Sequence, residues 1–483
     1  MIEKRSAKRT LILGAAWTVG TRWAIKGMGF LNTIVMARLL MPADYGTVAM
    51  AMLVVGLIQA LMDFGATTAL MRKNEVSRAE IDSAWTLRLL QSIGMGLLLL
   101  VAAPIAAHYF KEPRVEYVLW ALAACVALAG AGNIGLVLAQ KEFNFALEFR
   151  IQVICKLLGV LATVTAGYLL RDYRALVIGI ATGYISGAIL SYVMHPYRPK
   201  WNTSKIAEIW AVTKWLMLAG VGGFILRKGD ELIAARIGST TDYGLYNVGA
   251  DLGQLPTGEV GPAMLRALLP VLATLQDGVD DVNAAVIKTI GAVNTITFPI
   301  GLGFAAIAAP ATALVLGAAW VNAAQYVAAF AILSTLMIIS SPLSTLLTMR
   351  GHTKVQSKVI WIEFGVFLAV AAALVPHLYL MGLVWARMLG TLANMLMTFL
   401  AVRKLCGVSL RATAVVLLRP LTGACIMYLV VRTSIGYVEG DLQKLLFGIA
   451  CGAATCIAWT VTSWIAAGRP DGLESTAIDF LRK

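Results

Sequence analysis

About fourteen times between Leu11 and Ala467, this chain runs through twenty or more predominantly apolar residues before a short polar segment interrupts it. Twenty apolar residues make a helix long enough to cross a hydrocarbon core. Inside lipid such a stretch must be helical, because a helix satisfies its own backbone donors and acceptors. Composition agrees: 59% of the residues are apolar and 14% are charged, against roughly 25% charged in an ordinary globular domain. A soluble fold of this length has no way to hide that much apolar surface, so its solvent is lipid. The expected fold is an all-α polytopic membrane protein of about fourteen spans.

The loops restrict the chemistry. The longest cytoplasmic loop expected, Leu275–Lys288, is too short to fold as a domain, and no G-x-x-x-x-G-K-[ST] phosphate loop occurs. Transport powered by the chain's own nucleotide hydrolysis is therefore excluded, while a separate partner ATPase stays open. The longest outward loop, Arg432–Lys444, leaves little room for the catalytic groups of a membrane-embedded glycosyltransferase or polymerase. The six cysteines show no C-x-x-C spacing and the four histidines are far apart. No metal centre, cofactor or nucleophile–base pair is expected from them.

Charge sets the orientation. Counting loops with adjoining span ends, 23 Lys and Arg lie on the side that holds the N-terminus and 8 on the other. The positive-inside rule then places both termini in the cytoplasm. The basic start, MIEKRSAKR, leads into a long apolar helix and reads as a retained first span, not a cleaved signal. The net charge of +14 is largely this topogenic signal. It forms no stripe suited to nucleic acid.

One internal repeat is legible. Ala37-Arg38, five residues and Asp44-Tyr45-Gly46 recur as Ala235-Arg236, five residues and Asp242-Tyr243-Gly244, and the same offset of 198 pairs Asn32 with Asp230. Each copy falls between the first and second span of a six-span unit, so the repeat is parallel. It divides the chain into a six-helix bundle at 1–200, a second at 201–404, and two additional helices with a short cytoplasmic tail at 405–483. Locally, Arg38 and Arg236 suit a helix C-terminus, where a cation complements the dipole. Asp44 and Asp242 are expected to cap the helices that follow.

Nine cations fall inside spans: Arg22, Lys26, Arg88, Lys156, Lys214, Arg227, Lys228, Arg387 and Arg419. Ionisable groups at that depth are costly and face a cavity or a partner. Arg22 and Lys26, four residues apart, share one helix face, and Lys26 lies about 22 Å along the helix from Leu11. Lys214 and Lys228 share a face four turns apart. Acids in spans are fewer: Asp63, Asp230, Glu231, Asp251, Glu259 and Glu363. Arg227 and Glu231 have i,i+4 spacing for a pair. Arg419 is expected to snorkel toward the cytoplasm, and Arg88 and Lys156 either do the same, bind lipid headgroups, or line a cavity. An excess of cations suits an anionic cargo, and Arg and Lys suit phosphate and diphosphate. The substrate-binding candidates are Arg22, Lys26, Arg88, Lys214, Arg227, Lys228 and Arg387. Asp230, Asp251 and Glu363 are candidates for coupling to an ion, since a cavity that raises a carboxylate's pKa lets it exchange a proton. Trp17, Trp23 and Trp215 lie near the same segments, where they either anchor at the interface or stack on sugar rings.

Three segments carry a family likeness. VMARLLMPADYGTVAMAMLVVGLIQALMDFGATTALMRK (Val35–Lys73) resembles the first two spans of the oligosaccharide flippases, the polysaccharide branch of the multidrug/oligosaccharidyl-lipid/polysaccharide (MOP) exporter superfamily. KGDELIAARIGSTTDYGLYNVG (Lys228–Gly249) is similar to the start of that family's second half, and LVLGAAWVNAAQYVAAF (Leu314–Phe330) to its segment around span ten. The likeness is weak over the last two spans.

The resemblance implies two six-helix bundles plus two helices, alternating access, and no enzymatic step. It implies an undecaprenyl-diphosphate-linked oligosaccharide as cargo, flipped across the bacterial inner membrane for exopolysaccharide, O-antigen or capsule assembly. It also implies a cationic central cavity, carried here onto Arg22, Lys26, Lys214 and Lys228, with an acid at Asp230. A polysaccharide polymerase and a chain-length regulator are partners by analogy. Rival readings on the same fold are a peptidoglycan lipid-precursor flippase and a cation-coupled multidrug exporter, which would want an acid-lined cavity.

Overall fold

The computed structural model describes residues 2–62, 70–71, 76–142, 144–258 and 279–466, with the side chains of 2–16, 207–219 and 279–282 outside that description. Asp63, Glu259 and the side chains of Lys214 and Trp215 lie outside the described residues. Every regular element among the described residues is helical.

Two compact units result. The first, Met1–Gly244, contains α1 (Ile2–Leu39), α2 (Pro42–Met62), α3 (Arg78–Phe110), α4 (Arg114–Gly130), α5 (Gly135–Lys141), α6 (Phe145–Leu170), α7 (Arg174–Met194), α8 (Ile206–Ile237) and the start of α9 (Thr240–Gly258). The second, Leu245–Lys483, holds the rest of α9 with α10 (Val279–Ala306), α11 (Ala308–Leu316), α12 (Ala324–Ile339), α13 (Ser341–Met349), α14 (Thr353–Leu378), α15 (Leu380–Cys406), α16 (Leu410–Ser434) and α17 (Asp441–Ala466). Among the described residues ten helical stretches are long and apolar enough to cross a membrane, or eleven if α4 and α5, bent by 59°, make one broken span. α1, α8 and α9 stand where the other three of the expected fourteen would lie.

In the first unit glycines set how closely helices approach, the means by which helices pack in lipid without a hydrophobic drive between them. A Cβ on Gly159 of α6 would stand 3.0 Å from the Gly179 carbonyl oxygen of α7, and one on Gly179 would overlap the Thr163 hydroxyl. α1 runs parallel to α6: the Trp17 ring meets Phe149 at 4.9 Å, Gly29 faces Lys156, and Gly167 faces Met36. α2 runs antiparallel to α8, with Gly56 against Phe224 and Gly220 against Ala60.

The break between α4 and α5 exposes carbonyls that helical bonding would otherwise consume. Arg88 of α3 donates to the oxygens of Gly130 and Gly132, Trp85 Nε1 donates to Gly132 O (3.1 Å), and Tyr192 of α7 donates to Ala131 O (2.7 Å).

The α7–α8 connection is strapped to α3. Buried Asp82 accepts from Tyr197 Oη (2.7 Å) and from Lys200 N (3.0 Å). Asn202 N donates to Thr86 Oγ1 (3.0 Å). The Ser77–Glu80 capping box starts α3 beside this strap.

In the second unit Gly249 and Gly253, four residues apart, bring α9 onto α12: a Cβ on Gly253 would stand 2.6 Å from Val327 O. Tyr246 packs edge-on against Phe330 at 5.2 Å. α16 and α17 are tied by Arg419, whose Nε donates to Ser463 Oγ (2.9 Å) and Nη2 to Thr460 O (3.1 Å). Both acceptors lie in the last two turns of α17.

Candidate functional site

Most of the singled-out charges lie in the first unit, on α1 and α8. Arg22 and Lys26 are both exposed on α1. Lys156 of α6 meets α1 at Gly29, where a Cβ would stand 3.7 Å from Lys156 Nζ and Cε. Gly29 is seven residues, two turns, from Arg22, so it shares that face, with Lys26 between them. Among the described residues no acid pairs with Arg22 or Lys156.

On α8, Lys228 Nζ bonds Glu231 Oε1, so Glu231 pairs three residues back and not with Arg227, the expected partner. The spacing allowed both, and the rotamers chose the nearer. Arg227 is exposed and folds back over Gly223, whose Cβ would stand 3.0 Å from Nη1. Tyr243 Oη approaches the other Glu231 oxygen at 3.5 Å. Asp230 is 4% exposed. The α8 backbone carries Lys214 two helical turns after the start of that helix.

Four candidates stand elsewhere. Arg88 is engaged by the carbonyls of the α4–α5 break. In the second unit Arg387 is half-buried on α15, and Asp251 is exposed on α9. Glu363 of α14 accepts from Asn394 Nδ2 (2.7 Å), and Thr398 Oγ1 donates to Asn394 Oδ1 (3.3 Å).

The repeat corners meet each other. A Cβ on Gly46 would overlap the Thr240 carbonyl oxygen and stand 3.1 Å from Gly244 N; one on Gly244 would overlap the Pro42 oxygen and stand 3.1 Å from Gly46 N. Residues 42 and 46 are the 198-offset mates of 240 and 244, so the contact is reciprocal, as a two-fold axis requires. Asp44 and Asp242 are not themselves the capping residues. Each sits in the first turn and reaches back three residues, Asp44 Oδ2 accepting from Met41 N (3.1 Å) and Asp242 Oδ2 from Ser239 Oγ (2.6 Å). Arg38 and Arg236 lie in the last turns of α1 and α8, and Arg236 covers the Tyr109 ring at 5.3 Å.

The α3–α4 loop buttresses this corner. Arg114 grips Glu112 with Nε (2.8 Å) and Nη2 (3.0 Å), Thr240 Oγ1 donates to Glu112 Oε2 (2.8 Å), and Arg114 stands 4.0 Å from Asp44. The Arg114 guanidinium holds the Glu112 carboxyl below the usual carboxylate range.

The profile of a family described as "Polysaccharide biosynthesis protein" matches residues 35–325, more than half of the chain. The chain belongs to this family. Among the family's relatives, the lipopolysaccharide biosynthesis protein WzxC of Escherichia coli (strain K12) is 22% identical over 382 residues, covering 77% of this chain and 76% of its own. An uncharacterized membrane protein in the cps region of Klebsiella pneumoniae is 22% identical over 451 residues, covering 92% and 90%. In fold the chain is similar to the lipid II flippase MurJ in an inward closed conformation, with a TM-score of 0.74 over 95% of this chain and 100% of that one at 11% identity. A multidrug resistance MATE family transporter of the MOP superfamily in an inward-facing conformation gives 0.59 over 79% and 94% at 15% identity. At such identities these two matches establish the fold alone.

Several residues at these positions escaped sequence reasoning. Asp82 sits at a span boundary and reads as a solvated helix start. Glu112, Arg114 and Thr240 lie in short turns with no motif. The glycines of the corner were visible in the repeated Asp-Tyr-Gly, but not that the two copies touch.

Proposed function

We propose that this member of the polysaccharide biosynthesis family flips an undecaprenyl-diphosphate-linked oligosaccharide across the bacterial inner membrane, both termini being cytoplasmic, by alternating access. The observation that carries the reading is a set of cations that no acid neutralises among the described residues: Lys156, within a stretch long and apolar enough to span a membrane, and Arg22 and Arg227, within the first and seventh spans expected from the sequence. A charge there without a partner of its own is maintained for a ligand of opposite sign. Lys26 stands beside the first two, and Lys214 is the further candidate on α8. Cations attract the diphosphate, the lipid tail stays in the bilayer, and Asp230, Asp251 and Glu363 are the groups that could couple the return step to an ion gradient. A polymerase and a chain-length regulator would act on the product.

The test is deletion of the gene with analysis of surface polysaccharide and its lipid-linked intermediates. One polysaccharide should be lost while its complete lipid-linked repeat unit accumulates on the cytoplasmic leaflet. Lys26→Gln with Arg227→Gln should fail to restore it; Lys228 is left intact because it holds Glu231. Normal polysaccharide with altered drug sensitivity, repeat units already facing the periplasm, or full complementation by the double variant would refute the proposal.

A further inference from the structure

The strap between α7 and α8 has two faces. His195 opens it with extended backbone (φ −130°, ψ 131°), and exposure then alternates: His195, Tyr197 and Pro199 are half-buried, while Pro196, Arg198 and Lys200 are exposed. That period of two puts one row against the protein and the other outward. The strap is fastened from beneath. Besides the bonds to Asp82 and Thr86, Lys205 N donates to Ser83 Oγ (3.3 Å) and Asn133 Nδ2 to Tyr197 O (2.7 Å). The outward row is basic. Arg198 Nη1 donates to His195 O (2.7 Å) and Tyr197 O (2.9 Å), which orients the guanidinium while the residue stays exposed. Trp201 is 60% exposed, and Lys205 is exposed where the strap meets α8. Arg78, at the start of α3, lies over the Tyr197 ring at 5.8 Å.

We propose that this strap is a docking surface for anionic phospholipid headgroups, with Arg78, Arg198, Lys200 and Lys205 facing the phosphates and Trp201 seated beside them in the interface. Depth is the first argument. α3 has 33 residues, about 50 Å at 1.5 Å per residue, against a hydrocarbon core of about 30 Å. The excess lies at its start, because no acid, lysine or arginine occurs from Leu89 to Phe110. The strap is bonded along Asp82–Thr86 and so stands at headgroup level, the level that tryptophan prefers. Charge is the second. The strap joins spans on the side where Lys and Arg are concentrated, and cations there attract anionic lipid. The acids at hand are engaged: Asp82 lies beneath the strap, and Glu80 accepts from Ser77 in the capping box. Fixation is the third. Basic residues on a loose loop must be ordered by the lipid they meet, whereas these are held in place beforehand, so less entropy is lost on binding.

The test titrates the full chain in detergent with phosphatidylglycerol and, separately, with phosphatidylcholine. Each cation near an anionic surface contributes roughly fivefold in affinity. The triple variant Arg198→Gln, Lys200→Gln, Lys205→Gln should therefore bind phosphatidylglycerol at least about tenfold more weakly, with phosphatidylcholine unaffected. The double variant Lys200→Gln, Lys205→Gln keeps the Arg198 bonds and both backbone donors; it should melt as wild type does and still lose about fivefold or more. A control triple, Arg350→Gln, Lys354→Gln, Lys358→Gln, removes as many exposed cations from the other compact unit and should leave the affinity unchanged. Wild-type affinity in the double and triple strap variants, or an equal loss in the control triple, would overturn the assignment, the latter by showing diffuse attraction only. A wild-type protein that prefers a polyglutamate peptide to phosphatidylglycerol would also overturn it, by giving the surface to an acidic protein.

Discussion

The Gly46–Gly244 contact makes a prediction of unusual sign. Glycine-to-alanine changes in helices ordinarily stabilise by about 0.5–1 kcal/mol, because alanine loses less backbone entropy on folding. At Gly46 the new methyl meets the carbonyl oxygen of Thr240, with the Thr240 carbonyl carbon at 2.9 Å and Gly244 N at 3.1 Å. Those are backbone atoms and cannot rotate aside, so α2 and the α8–α9 corner must separate by roughly 1 Å to restore normal contact. Overpacking of this kind costs about 1–3 kcal/mol, and a fixed obstacle puts it at the upper end. Net destabilisation by Gly46→Ala should be about 2 kcal/mol, and the same for Gly244→Ala, which meets Pro42 O. Because both methyls open one gap, the double variant should fall short of the sum by about 1 kcal/mol or more. Gly27→Ala and Gly222→Ala have nothing within 4 Å of the added carbon and should be neutral or stabilising. The assay is thermal unfolding in one detergent, where about 2 kcal/mol corresponds to a loss of roughly 4–8 °C for a unit of this size. A Gly46→Ala protein that melts at or above the wild-type temperature, or losses that simply add, would show that the two repeat copies do not touch as described.

Two further expectations come from the same unit. Arg88→Leu strips donors from the Gly130 and Gly132 carbonyls and should cost about 2–4 kcal/mol, read as a lower melting temperature, while the protein that remains folded binds polyprenyl diphosphate as wild type does; a selective binding loss without destabilisation would move Arg88 to the ligand. Glu112 has a depressed pKa, so its contribution is full above its ordinary value of 4.5 and is lost as pH falls through the lower folded value. The melting difference between wild type and Glu112→Gln should therefore be constant from about pH 8 to 5 and shrink as the pH falls below 4.5; a difference that grows in acid would contradict the carboxylate's role.

Hydropathy alone determined that the chain is a series of membrane helices, since span length and backbone satisfaction are local properties of twenty residues at a time. The 198-residue repeat was equally local, read from identical short strings at Arg38–Asp44 and Arg236–Asp242. Which charge meets which group was settled only by tertiary structure. Glu231 took Lys228 and left Arg227 over Gly223; Arg88 went to a broken helix's carbonyls; Arg419 went to Ser463 and Thr460; and Lys156, one of several ambiguous cations by sequence, lay across Gly29. Each outcome depends on the rotation and separation of two helices far apart in sequence, and helix periodicity says which face a residue occupies without naming the neighbour that face will meet.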